Sequence, residues 1–472
     1  MGPLVGVVAA VGCAQVFGLD KEYRLVEDAG AGGSGGSPEG NIGILGGSCP
    51  QTGELACAGH AQKSKLICGP DGKWATNGTC DGDTLCDTTA GLEQGTCKSP
   101  VAVCAGKQEA NVFCDGTKRV RCGPDLVTTE EVEACPNACV GGQCGGVCKP
   151  ESKQCASNTP QTCDASGAWQ DDGAACAEQT EICVEGACVM PPSCSGLPAT
   201  CGPKGDELCC ASNVVPGGSY NRSNDSKFPG TVSSFRLDRF EITVGRFRKF
   251  VAKYPGNKPK AGDGAHPLIA GSGWDAAWDA NLPADHPALL AVVKCDSTFQ
   301  TWTDAVAANE NLPMTCISWY AALAFCAWDG GRLPTEAEWN YATAGGSEQR
   351  SYAWGAANVD AAHAVYGCTG DGSSSCVFAD ILKVGSKSPQ GDGKWGQADL
   401  IGSMWEWNLD SYNDPYLDTF CNDCAYIKET SARVLRGGSW GNDASPLLSS
   451  FRNYDGPAGR HGDVGARCAR TP

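Results

Sequence analysis

The groups able to do chemistry in this chain are unevenly supplied: 31 cysteines stand against five histidines. His266 and His286 each precede a proline and read as turn residues. His461-Gly-Asp463 has the spacing of half an iron-binding facial triad, but no histidine follows it and its surroundings are rich in glycine, so it reads as a solvated turn. The cysteines lack the paired CxxC…CxxC spacing of a zinc site, and only His60 falls among their main cluster. Their expected role is structural.

Of the 31 cysteines, 22 lie between Cys49 and Cys210, a density that implies an oxidising compartment. They form sets of six at 49–97, 104–144 and 148–188, and the second and third sets share intervals of 8, 13 and 5 residues. These are internal repeats. CGPDGKW in the first and CDASGAW in the third place Asp-Gly and Ser-Gly between short runs, which predicts a small disulfide-held hairpin in each. Units this small hold almost no core and depend on staples. Cys194, Cys201 and Cys209 repeat the intervals that open the third set, predicting a truncated fourth repeat over 194–210 and a spacer role for the whole stalk.

Residues 1–13 run through small and apolar side chains to Cys13, like a bacterial signal peptide ending in a lipobox, and predict a lipid anchor on Cys13. Setting Cys13 aside leaves an even number of cysteines to pair. Residues 14–48, rich in Gly and Ser, read as a structureless linker. The net charge of −18, with scattered Lys and Arg, argues against nucleic acid as a partner.

The texture changes near Val214, beyond which eleven of the thirteen tryptophans lie, so 214–472 can build a core. Phe235–Phe240 alternates like a strand, and Thr243 should cap a helix with Phe247, Phe250 and Val251 on one face. A second helix should start at Ser318 and stop at Gly330-Gly331. In GRLPTEAEWNYATAGG, Thr335 and Glu338 form a capping box and Gly345 ends the helix.

RLPTEAEW, the preceding ISWYAALAFCAW, and the later GQADLIGSMWEW and VLRGGSW occur in the order found in formylglycine-generating enzymes, or sulfatase-modifying factors, and 214–472 resembles that family. The resemblance implies an α+β, irregular fold related to C-type lectins, and a disulfide between Cys326 and Cys468. Cys421/Cys424 and Cys368/Cys376 are close enough in sequence to bridge as well. Family oxidases turn a sulfatase cysteine into formylglycine with copper held by two thiolates after the GGS motif. Here those places fall on Asn442 and Leu447, while the active-site serine remains as Ser439. A soft Cu(I) site needs soft ligands, so copper is not expected. A further family disulfide is replaced by Thr343 and Arg452. By the same resemblance calcium would be bound by the side chains of Asp399 and Glu406 and the carbonyls of Gly402 and Met404, with Ser403 in place of the usual Asn. The competing reading pairs Asp399 and Glu406 with arginines. Trp405, Trp407 and Trp440 are candidates for a cleft lining, although core is the commoner fate of tryptophan.

These observations predict a lipoprotein of the bacterial cell envelope, at the outer membrane or cell surface, whose repeats carry a non-oxidase, lectin-like domain that binds a peptide, a glycan or an envelope protein. The rival expectation is a formylglycine-type or other metal-dependent oxidase.

Overall fold

The computed structural model describes residues 42–106, 111–156, 158–177, 180–355, 358–428 and 431–472. Cys13 and most of the expected linker lie outside them. Residues 42–48, expected to be structureless, are instead built onto the first repeat: Ile42 bridges Cys57 and Ser48 bridges Lys73. A Cβ on Gly43 would come within 2.9 Å of Leu66 and 3.0 Å of Trp74, so glycine serves close approach here, which composition could not separate from flexibility.

The expected hairpins form. Strands Ser64–Cys68 and Trp74–Thr79 pair antiparallel in the first repeat, as Thr159–Cys163 and Trp169–Asp171 do in the third. Disulfides Cys49–Cys68, Cys57–Cys86 and Cys80–Cys97 frame the first repeat. Cys104–Cys122, Cys114–Cys139 and Cys135–Cys144 frame the second, and Cys148–Cys163, Cys155–Cys183 and Cys176–Cys188 the third. In every set the first cysteine meets the third, the second the fifth and the fourth the sixth. Besides its cysteines, the apolar centre of the first repeat is Ala56, Leu66 and Trp74.

The chain divides into two units within the second repeat: Val120–Val132 goes with everything before Cys114, while Cys114–Arg119 joins Glu133–Pro472. Inside the first unit, the Thr88 amide and hydroxyl both donate to buried Asp125, at 3.2 Å each.

In the second unit the expected fourth repeat is not found. Cys194 pairs with Cys210 and Cys201 with Cys209, a connectivity unlike the repeats. The segment docks on the following domain instead of making its own hairpin. The Ser193 amide donates to Asp329 at 2.8 Å, Arg246 Nε to the Ser193 hydroxyl at 2.9 Å, and the Thr200 hydroxyl to Asn311 at 3.0 Å. The third repeat also touches that domain. Arg236 donates to the Glu181 carbonyl at 3.0 Å, and a Cβ on Gly330 would lie 2.3 Å from the Ile182 side chain.

The C-terminal domain is a mixed α+β body with three small sheets. Strands Ser212–Val215, Phe235–Asp238 and Ala469–Arg470 form one, and Gly218–Asn221, Pro229–Val232 and Cys421–Asn422 a second. The third runs in the order Asn453–Asp455, Arg433–Arg436, Trp405–Ser411, Val464–Gly465. Among the described residues four α-helices pack around them: α1 (Val244–Lys253), α2 (His286–Val292), α3 (Trp319–Trp328) and α4 (Glu336–Thr343). Thr243 caps α1, Ser318 caps α3, and Thr335 with Glu338 closes the capping box of α4, each where the sequence indicated. Gly345, with φ of 64°, follows the C-cap of α4. His286, expected in a turn, opens α2 with proline in its first turn, where the missing N–H costs nothing.

The strand expectation at 235–240 needs correcting in one respect: all four residues of Phe235–Asp238 are buried, not alternate ones. The polar members are covered because they are paired. Arg246 reaches Asp238 at 2.9 Å and Asp329 at 2.7 Å, Arg470 reaches Asp329 at 2.8 Å, and Arg470 also binds Asp238. Two arginines and two aspartates thus form a closed buried ring that ties a strand, α1, the end of α3 and the C-terminal strand. Beside it Cys326 bridges Cys468 over 142 residues of sequence.

Candidate functional site

Strand Trp405–Ser411 is buried at every position because it faces different partners on its two sides. Trp405, Trp407 and Leu409 enter the main core, where the Trp407 indole donates to the Ile317 carbonyl at 3.0 Å. Glu406 and Asp410 point the other way into polar surroundings. Asp410 accepts from the Glu336 amide at 2.7 Å and the Tyr426 amide at 2.8 Å, and burial, reinforced by Glu336, pushes its carboxyl up to about 7.

The loop before this strand is woven into the one that carries the GGS motif. The Gly402 amide donates to the Gly437 carbonyl at 3.0 Å, Ser403 to Val365 at 2.9 Å, and Trp440 to Ser403 at 2.8 Å. A Cβ on Gly402 would meet the Val365 carbonyl at 2.5 Å, and its φ of 79° is left-handed, so this turn requires glycine twice over.

Ser439 is fully buried and does not itself line the neighbouring open groove of about 370 Å³, which is walled by Trp405, Asn442, Asp443, Ser445, Phe451 and Asn453 and reaches the serine through Asn442. Its hydroxyl lies 3.0 Å from Asn442 Oδ1 and 3.0 Å from Asp463 Oδ2, two acceptors for one proton, while its amide donates to Asn442 Oδ1 at 2.9 Å. Asn442 therefore ties Ser439 into the turn that carries both. Leu447 does not face the groove: it is fully buried among Trp339, Leu400 and Ile401. Every cysteine from Cys49 to Cys468 is in a disulfide, so no thiolate exists here. Copper does not fit this donor set.

Asp463 was expected in a solvated turn and is instead partly buried against Ser439, whereas His461 faces Asp455 at 2.7 Å. The two halves of the apparent HxD motif thus serve different partners. His266, also expected in a turn, is buried with Nε2 3.4 Å from Glu338. Trp405, Trp407 and Trp440 are all buried, and of the three Trp405 also lines the groove, beside Phe451 with ring centres 6.1 Å apart.

At the expected calcium loop, Asp399 has a left-handed φ of 56° and accepts the Gly385 amide at 2.5 Å. Glu406 is held on both oxygens by Arg467, at 2.6 to 2.9 Å, and accepts the Trp339 indole at 2.8 Å. The competing arginine reading thus describes Glu406 but not Asp399, which forms no ion pair among the described residues and feels Arg467 only at longer range. Glu241, which the sequence gave no reason to single out, is fully buried beside them and neither of its oxygens has a hydrogen-bond partner. The Ser403 hydroxyl favours its charged form without making a bond of acceptable geometry. Burial and the Asp399 charge push the Glu241 carboxyl well up, and burial pushes Asp399 to about 6. Among the described residues no three His, Cys, Asp or Glu side chains converge as metal ligands. Two carboxylates with backbone carbonyls remain a hard-oxygen set of the type calcium takes.

Residues 200–472 match the sulfatase-modifying factor enzyme 1-like domain. The formylglycine-generating enzyme of Streptomyces coelicolor is 31% identical over 261 residues, which is 50% of this chain and 77% of that protein. Hercynine oxygenase of Mycolicibacterium smegmatis is 28% identical over 58% of this chain, and the match spans 64% of that protein. The inactive C-alpha-formylglycine-generating enzyme 2 of Bos taurus is 27% identical over 55% of this chain and 82% of its own length. Among solved structures, the match to PvdO from Pseudomonas aeruginosa spans 56% of this chain and 95% of that one at 21% identity and a TM-score of 0.40. The match over more than half of the chain, together with the motifs now seen around Ser439 and Asp399, makes this chain a member of the sulfatase-modifying factor enzyme 1-like family.

Proposed function

We propose that this protein is an extracytoplasmic binding module derived from an oxidase fold, anchored through Cys13 to the bacterial envelope, with its peptide, glycan or envelope-protein ligand in the groove beside Ser439. One observation carries the reading: the two places that would supply copper thiolates are a carboxamide bonded to Ser439 and a leucine buried in the core. Aromatic Trp405 and Phe451 beside Asn442, Asn453, Ser445 and the Asp443 carboxylate give the groove aromatic, amide, hydroxyl and acidic groups, which suit a neutral or cationic polymer better than an anion. The fifteen disulfides fit an extracytoplasmic location, and no helix among the described residues is long and apolar enough to cross a membrane. Calcium at the Asp399 loop belongs to the same proposal as a structural ion.

The test is to incubate purified protein with copper and a CxPxR peptide, then measure bound metal and peptide mass. Neither copper retention nor the mass change of formylglycine is expected; both together would replace this reading with an oxidase. Detergent partition of the wild type against Cys13→Ala tests the anchor, with only the wild type expected in the detergent phase.

A further inference from the structure

Cys421 and Cys424 are bridged across a sequence separation of 3, whereas Cys326–Cys468 spans 142. A cross-link limits the unfolded chain by the loop it closes, so the short one contributes little to stability. Nor does its turn depend on it. Cys421 pairs with Gly230 in the parallel strand, the Asp423 amide donates to Thr231 at 2.9 Å, and the Ser233 amide and hydroxyl donate to the Asp423 carboxylate at 2.5 and 2.7 Å. Opening the bond would leave the two sulfurs side by side.

The surroundings favour opening. Cys421 is buried, while Cys424 is half-buried and lines a cleft together with Arg222, so one sulfur can be reached and the other is kept behind it. Arg222 is itself buried. Its Nη1 points at the Cys424 sulfur from 3.9 Å, Nη2 donates to the Asp418 carbonyl, and Nε has no partner. No carboxylate among the described residues pairs with it: Glu336, which feels its charge, is held by Arg452 at 2.6 Å and Arg436 at 3.4 Å. A buried guanidinium without a counter-ion gains one when Cys424 becomes a thiolate, which stabilises the reduced pair and makes the disulfide an oxidising one. Leu417 and Phe420, both exposed, stand just before Cys421 and suit an extended polypeptide with apolar side chains.

We propose that Cys421–Cys424 is a transferable disulfide that oxidises pairs of thiols in unfolded polypeptides, an activity separate from the groove beside Ser439. A client thiolate attacks the Cys424 sulfur, and Cys421 leaves as a thiolate that takes up a proton. A second client thiolate attacks the client sulfur of the mixed disulfide and releases the Cys424 thiolate beside Arg222. Two electrons pass from client to protein, one of the two client protons ends on Cys421 and the other in water. A low-molecular-weight disulfide, reduced to two thiols, returns the pair to its oxidised state.

To test this, oxidised full-length protein is mixed with an equimolar reduced peptide bearing two cysteines, a Leu and a Phe, and free thiols are trapped with N-ethylmaleimide and located by mass spectrometry. The peptide disulfide should form in step with new thiols at Cys421 and Cys424, and the double variant Cys421→Ala/Cys424→Ala should oxidise the peptide about tenfold more slowly or worse. A peptide left reduced by the wild type, or oxidised equally fast by the double variant, overturns the proposal. Glutathione titration of the wild type decides independently of any variant's folding. The comparison is Cys368–Cys376, another short link, whose Cys368 sulfur faces the Gly441 carbonyl at 4.0 Å. Cys421–Cys424 should reach half reduction in buffers about tenfold more oxidising than Cys368–Cys376 requires, and Arg222→Gln should erase that gap. Equal midpoints in the wild type overturn the proposal, and a gap that survives Arg222→Gln overturns the role of the guanidinium.

Discussion

Between Cys49 and Cys188 the chain holds its shape with covalent links around a few apolar side chains, whereas beyond Ser212 packed aromatics and buried ion pairs share that work with four disulfides. The first repeat offers Leu66 and Trp74 as its large buried groups, while the domain closes Phe247, Phe250, Phe325, Trp319 and Trp407 into one cluster. The two strategies fail under different insults. A disulfide acts largely by limiting the unfolded chain, so reduction removes its effect at once, while a core is indifferent to reductant. The third repeat lies between these cases, since it is cross-linked like the first but leans on the domain through Ile182 and Glu181.

The largest expected effect is therefore reduction of the whole protein. Losing disulfides at about 2 to 5 kcal/mol each exceeds what so small a core supplies, so the first repeat should become protease-sensitive, while the domain, which loses four disulfides but keeps its large core, should retain the near-ultraviolet circular dichroism of its tryptophans. Protection of the first repeat in reductant, read by mass spectrometry of the fragments, would erase the contrast. Next comes Glu338→Gln. Glu338 receives two bonds from Arg332, at 2.6 and 2.5 Å, and one from the Thr335 amide at 2.9 Å, so neutralising it should cost the domain about 3 to 5 kcal/mol in denaturant unfolding. Burial opposes its charge, but Arg332 and His266 outweigh burial and hold it down at about 2. A depressed carboxyl contributes above its ordinary value of 4.5, so the gap between wild type and variant should close as pH falls from 4.5 towards 2.

Ile182→Ala probes the intermediate case. Truncating this buried side chain against Gly330 should cost about 2 kcal/mol and lower the protection of the third repeat, leaving the first repeat untouched. If amide exchange in the third repeat does not change, that repeat stands alone like the first. The smallest effect expected is that of Thr243→Ala, which removes the hydroxyl that accepts the Arg246 amide at 3.3 Å and should cost about 1 kcal/mol.

What could be read from sequence followed the range of each signal. Caps at Thr243, Ser318 and Thr335 and the hairpin turns of the repeats are local, settled within a few residues, and were legible. The structure of 42–48 was not, because the glycines that suggest a tether also allow a backbone to press against Trp74. The supposed fourth repeat misled for a related reason: interval counting cannot see Asp329 and Asn311, which draw residues 193–200 onto the domain. At the candidate site, Ser439 was visible through a motif, but its partner Asp463 and the orphaned Glu241 come from distant segments that meet only in three dimensions. A signal for Glu241 did exist, as a lone acid in the otherwise apolar run Phe240-Glu241-Ile242, though composition alone gives such a residue no partner.

The pairing of the repeats has one further consequence. Each cross-link begins and ends within its own set of six cysteines, and none reaches from a repeat into the domain. A set can therefore complete its oxidation as soon as its last cysteine emerges from the export channel, without waiting for sequence still to come. Lengthening or shortening the array by whole sets leaves every remaining bond with its partner, so the number of modules is free to vary while the head they carry stays the same.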